Sequence, residues 1–210
     1  MTGRLWDISQ RIRPALPVWP GDTAVTFERT WALGPECPVN VSKLTLSTHT
    51  GTHADAPFHY DADGAGADAL DLSRYLGPCR LVDARGFGPL LRAEHVSAAL
   101  EGTPPRVLFR TYEAFPAGQW RSDFTAISHE LISALAALGV RLIGVDAPSL
   151  DPETSKDLLT HHAVRRSGLS ILEGLVLDAV PPGDYELIAL PLPLEGLDAS
   201  PVRAVLRELA

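Results

Sequence analysis

Fourteen consecutive residues, Ser47 to Tyr60, constrain this chain more than any other stretch: they read S-T-H-T-G-T-H-A-D-A-P-F-H-Y. They hold His49, His53 and His59, three of the chain's seven histidines, together with Asp55. Neutral imidazole nitrogen and carboxylate oxygen are the usual ligands of a catalytic zinc. The preceding V-S-K-L-T-L-S, residues 41–47, alternates weakly and predicts a strand. Gly51 interrupts it, and Pro57 forbids a helix running through the region. The four side chains therefore belong to a strand end and an irregular loop, not to one helix face. His53 and Asp55, two apart, share a face if the backbone is extended. Gly51 allows a turn tight enough to bring His49 back towards them. A lone histidine in such a loop is ordinarily held by hydrogen bonds. Four such groups around a glycine and a proline predict a metal site.

The rest of the composition narrows the possibilities. A length of 210 residues suits one domain, 1–210, with a substantial core. The formal charge of -8, from 18 basic and 26 acidic residues, argues against nonspecific nucleic-acid binding. No apolar run approaches the roughly 20 residues of a membrane span. The opening residues, M-T-G-R-L-W-D-I, lack the apolar core of a signal peptide. Two cysteines without a C-x-x-C pattern suit a reduced, cytoplasmic protein. Cys37, in a Gly/Pro loop, and Cys79, read as opening a strand, are expected to be structural.

Along the chain, strands are expected at residues 4–9, 24–31, 79–84, 106–111, 141–146, 170–178 and 185–190. Helices are expected at 93–100, from Ser128, and across 155–166. The helix from Ser128 has an N-cap, an acid in its first turn and a stripe of Leu131, Leu135 and Leu138, with Gly139 ending it. Residues 201–209 are read as one last strand. Trp19, between two prolines, is either a core plug or a wall for a planar ligand. The run from Asp61 to Asp68 has Leu72 where a calcium-binding loop needs its glutamate, so a solvated loop is expected. Asp146, at a strand end, either supports a site from behind or only forms a turn, and the turn is the expected role. Glu173 stands alone in Ile171-Leu-Glu-Gly-Leu-Val-Leu177; it is either paired or metal-bound inside, where an isolated carboxylate is costly, or turned to water at a strand end. Strands outnumber helices, which points to one α/β or α+β domain rich in β structure.

Residues 49–59, H-T-G-T-H-A-D-A-P-F-H, resemble the signature of the metal-dependent cyclase-like hydrolases. The segments V-W-P-G-D (18–22), G-V-D-A-P-S-L-D-P (144–152), H-H-A-V (161–164) and I-L-E-G-L (171–175) are similar to those of the bacterial kynurenine formamidases within it. The resemblance implies a single α/β domain of the β/β/α, swivelling type with a mixed, β-rich core, assembled as a homodimer. It implies two Zn²⁺ ions per subunit, held by His49, His53, Asp55, His161 and Glu173, with Asp55 and Glu173 shared between them. It makes His59 the catalytic acid/base and Trp19 a wall of the substrate pocket. His162, beside His161, leaves the register of that ligand open. The implied reaction is hydrolysis of N-formyl-L-kynurenine to L-kynurenine and formate, in tryptophan degradation, by metal-bound hydroxide. A related amidohydrolase opening a cyclic amide such as isatin is the alternative.

Overall fold

The computed structural model describes residues 3–209; Met1, Thr2 and Ala210, which include the ends of the expected 1–210 domain, lie outside the described residues. Strands in chain order are β1 (Leu5–Asp7), β2 (Thr26–Trp31), β3 (Val41–Thr45), β4 (His53–Asp55), β5 (Leu76–Asp83), β6 (Leu90–Leu91) and β7 (Arg106–Arg110). They continue with β8 (Ala126–Ile127), β9 (Leu142–Val145), β10 (Ser170–Glu173), β11 (Gly183–Ile188), β12 (Ala199–Pro201) and β13 (Val205–Glu208). The α-helices are α1 (Ala93–Val96), α2 (His129–Ala137) and α3 (Leu159–Ser167).

Nine of these strands form one sheet in the order β1-β13-β11-β5-β7-β9-β10-β4-β12. The middle run from β5 to β10 is parallel, and the flanking pairs are antiparallel. Nine flat strands would span about 38 Å at about 4.8 Å per gap. Yet β12 and β13, at nearly opposite ends of the order, are joined by only Val202, Arg203 and Ala204. Such a link reaches about 14 Å at most. The sheet must therefore curl until its ends approach. Residues 201–209, expected as one strand, are in fact the two pieces that define this curl.

Curling gives the sheet an inside. Ile8, Ala54, Cys79, Leu81, Leu108, Leu142, Leu172, Leu187 and Leu206 meet there, contributed by strands from both ends. The other face, with Val107, Phe109, Val145 and Ile171, packs beneath α2 and α3. Cys79 is thus the fourth residue of β5 and fully buried, not the strand's first residue. Ser128 caps α2, its hydroxyl accepting a hydrogen bond from the Leu131 amide at 3.2 Å. Leu131, Ile132 and Leu135 are buried, each contributing roughly 1.5–3 kcal/mol. Leu138, expected in the stripe, is instead 51% exposed. It follows the last helical turn, where Gly139 at φ +81° already redirects the chain. The third helix begins at Leu159, not Ser155, because residues 153–158 are spent on turns.

A hairpin of β2 and β3 stands apart from the large sheet. All of its residues are exposed, including Phe27, Trp31, Val41 and Leu44.

Candidate metal centre

Four buried side chains meet where β4 crosses β10. The two strands are antiparallel, with His53 opposite Glu173 and Asp55 opposite Ile171. Side-chain alternation puts His53, Asp55 and Glu173 on one face. His161, in the first turns of α3, enters from above that face. His53, Asp55, His161 and Glu173 are each 3% exposed or less. His162, one position on, is exposed.

The separations are informative. His53 Nε2 lies 3.3 Å from Asp55 Oδ1 and 3.4 Å from Glu173 Oε2. His161 Nε2 lies 3.5 Å from Asp55 Oδ2 and 3.6 Å from Glu173 Oε1. His49 Nδ1 adds a third imidazole, 3.2 Å from Asp55 Oδ1. Donors bound to one ion at about 2.0–2.2 Å in a tetrahedral array stand roughly 3.3–3.6 Å apart. His53 Nε2, His161 Nε2 and both oxygens of Asp55 have no hydrogen-bond partner although they are buried. Such orphaned groups are costly and need an explanation. The donor set fits cations: each carboxylate gives one oxygen towards His53 and the other towards His161.

Without a cation, protons carry the positive charge. Burial would push the His53 pKa down, but the Asp55 and Glu173 carboxylates facing Nε2 outweigh it and raise it to about 10. Burial opposes ionisation of Asp55 too, yet its three imidazole neighbours, led by His161, hold it well below the usual carboxylate range.

The outer nitrogens of these rings are tied down. His161 Nδ1–H donates to Asp151 Oδ2 at 2.6 Å, and the same carboxylate accepts from the Thr160 and His161 amides. His53 Nδ1–H donates to the Gly51 carbonyl at 3.0 Å. Each bond fixes a tautomer that leaves the inner nitrogen free as a ligand. Gly51 (φ +69°) and Gly174 (φ +65°) bring two loops together behind the centre. A Cβ on Gly174 would lie 2.4 Å from the Gly51 oxygen. The Gly174 carbonyl accepts from the Thr52 hydroxyl at 2.7 Å and from Gln10 Nε2 at 2.9 Å, which locks the end of β10 and so Glu173. Thr52 and Asp151 lie inside the segments 49–59 and 144–152 but drew no role from the sequence, and Gln10 drew no notice, because their partners are distant in the chain or buried in loops.

His49 and His59 form the rim. His59 ends a short 3₁₀ turn begun by Pro57, and its ring stands 4.1 Å from that of His49 and 5.9 Å from that of His161. Its side chain is 34% exposed. Partial burial lowers its pKa, with the nearby Asp55 carboxylate opposing, so the ring is neutral at pH 7. Both rings face a cavity of about 390 Å³, also lined by Trp19, Trp120, Tyr112 and Phe115. The Trp19-Pro20-Gly21-Asp22 turn, closed by the Asp22 amide on the Trp19 carbonyl, has proline at its second position and Gly21 at φ +90° at its third. The turn sets Trp19 edge-on to Trp120, centroids 5.4 Å apart, with Phe124 at 6.4 Å. Trp19 is therefore both packed against the core and a wall of the cavity.

Asp146 departs from its expected role. It forms no turn of its own; it is buried and accepts from the Thr111 and Tyr112 amides and the Thr111 hydroxyl. Burial raises its pKa to about 6. It anchors the segment that carries Tyr112 and Phe115 over the cavity.

Comparison with known proteins agrees with this geometry. A family model described as "Putative cyclase" matches residues 6–152. A protein of Maricaulis maris (strain MCS10) named "Kynurenine formamidase" is 58% identical over 207 residues, 98% of this chain and 99% of its own. A solved structure described as a potential metal-dependent hydrolase with cyclase activity superposes with TM-score 0.85 at 29% identity, covering 99% of this chain and 98% of its own. A predicted metal-dependent hydrolase from Bacillus stearothermophilus gives TM-score 0.83 at 28% identity, covering 98% of both chains. An isatin hydrolase shares the fold, with TM-score 0.80 at 22% identity over 96% of this chain and 91% of its own.

Proposed function

We infer that this chain, which belongs to the cyclase family, is a metal-dependent hydrolase that converts N-formyl-L-kynurenine to L-kynurenine and formate, in tryptophan degradation. The observation that carries the reading is the 58% identity, over almost the full length of both chains, to the Maricaulis maris kynurenine formamidase. The buried donors without partners support the metal requirement.

Two Zn²⁺ ions per chain are the cofactors, with His49, His53, Asp55, His161 and Glu173 as their ligands. Bound divalent cations supply the Lewis acidity that activates water and polarises the formyl oxygen. The chain's own residues do the rest. Neutral His59 takes the proton released as water adds to the formyl carbon. It returns that proton to the amide nitrogen as the C–N bond breaks, since an aryl amine departs poorly as an anion. Trp19 lies against the flat anilide ring, in a cavity large enough for one such ring and its side chain. The whole chain, 1–210, acts as one domain.

A homodimer is part of the proposal. A hairpin carrying exposed Phe27, Trp31, Val41 and Leu44 is marginal by itself in water, and a second subunit would cover it. The cysteines Cys37 and Cys79 are unpaired, which suits the reducing cytoplasm. No described helix is long and apolar enough to cross a membrane.

The test is formate release from N-formyl-L-kynurenine, run beside ring opening of isatin. Chelator should abolish the first activity and Zn²⁺ restore it. Turnover by metal-free protein, or preference for isatin, refutes the assignment. Within the same assay, Trp19→Ala should raise KM about tenfold, the scale of a lost aromatic contact of about 1.5 kcal/mol, while zinc content stays unchanged. An unaltered KM would leave Trp19 with a packing role alone.

A further inference from the structure

Asp198 lies in the loop before β12 and far from the signature in the sequence. Its backbone is fixed, because its carbonyl accepts from the Ala56 amide at 2.9 Å, just beyond β4. Its carboxylate reaches back over the rim of the centre. Oδ1 accepts from the Thr48 hydroxyl at 2.8 Å. Oδ2 accepts from His49 Nε2–H at 3.1 Å and lies 3.8 Å from His59 Nδ1. One oxygen thus stands between two imidazoles whose rings are 4.1 Å apart.

We propose that Asp198 is a positioning residue for the metal centre's rim: it fixes His49 with Nδ1 turned to the metal centre, and it sets a carboxylate oxygen beside His59. For His49 the logic is that of an outer carboxylate on a metal-bound imidazole. For His59, 3.8 Å away and not hydrogen-bonded to it, the carboxylate is a nearby anion facing the charge that ring carries during proton transfer. Thr48 occupies the other oxygen and so keeps the carboxylate from rotating. The proposal rests on the roles given above to His49 and His59.

The experiment uses the full-length chain and measures zinc affinity by competition with a chromophoric chelator, a readout independent of which amide is the substrate. Asp198→Ala should weaken zinc binding by about tenfold to a hundredfold. At saturating zinc its kcat on N-formyl-L-kynurenine should still fall about tenfold, with KM within about twofold. In a His59→Ala background that kcat loss should vanish, because the group Asp198 faces is gone. Asp198→Asn retains an oxygen for His49 Nε2–H, so it should recover most of the zinc affinity but not the kcat. Thr48→Val, which leaves the carboxylate in place, should give a smaller loss of the same kind and stands in if the alanine variant does not fold. Unchanged zinc affinity in Asp198→Ala, or a kcat loss that persists in full without His59, overturns the proposal. If wild-type protein binds zinc but ignores the formamide, the substrate assignment fails while the affinity arm still decides the role at His49.

Discussion

Asp55→Asn should yield a folded protein that holds fewer than two zinc ions per chain and releases formate at least about a thousandfold more slowly. The argument is one of charge and of position. A single carboxylate faces three imidazoles, with His49 and His53 on one oxygen and His161 on the other. Replacing it with an amide of the same shape preserves the volume and the β4 ladder, so the fold should survive. It removes the anion and turns an N–H₂ towards a site built for cations. Metal-assisted charge stabilisation is worth several kcal/mol, and each 1.36 kcal/mol is a factor of ten in rate. Metal analysis after exhaustive desalting, with far-UV circular dichroism to confirm folding, checks the first half; a formate assay checks the second. A variant with two tightly held ions and near-normal turnover would show that Asp55 is not shared between them.

His59→Ala should behave differently: zinc stays and kcat falls roughly 10²–10⁴-fold, the usual contribution of a positioned proton carrier. The distinction matters because His59, His49 and Asp55 can place three donor atoms within 4.8 Å of one another, as ligands would. The exposure of His59 and its place at the cavity rim favour proton transfer. Its lowered pKa sets the sign of the pH dependence. The neutral ring accepts the proton, so activity fails when His59 is protonated, and the acid limb of kcat/KM should lie below the ordinary imidazole value of 6.5. Loss of zinc together with activity would make His59 a ligand.

The parts of the centre that follow local rules were legible in the sequence. Strand alternation alone placed His53 and Asp55 on one face, and the isolation of Glu173 in an apolar run marked it as a residue needing a partner. The choice between His161 and His162 was not legible, because α3 buries Thr160, His161, Ala163 and Val164, and neighbouring residues on such a helix cannot be sorted without knowing which side meets the sheet. Asp198 was invisible, and Asp151, though inside the quoted 144–152 segment, had no role assigned, for a related reason: their value lies in contacts made by loops. Asp146 was misread since a strand-end aspartate ordinarily serves its own turn, whereas here the neighbouring strand's exit lies within its reach. The curl of the sheet was hidden too. It depends on two short strands, three residues apart, joining distant neighbours.

The pairing of His53 with Glu173 makes the spacing of the centre a property of a backbone ladder. A one-residue deletion or insertion between His53 and Asp55 would flip one of them to the opposite side of the sheet and take the donor cluster apart in a single step. Residues 61–66, by contrast, leave the sheet entirely before the chain returns. Natural length variation in chains of this design should therefore collect in that outer loop, while the interval from residue 49 to 59 keeps its length unchanged.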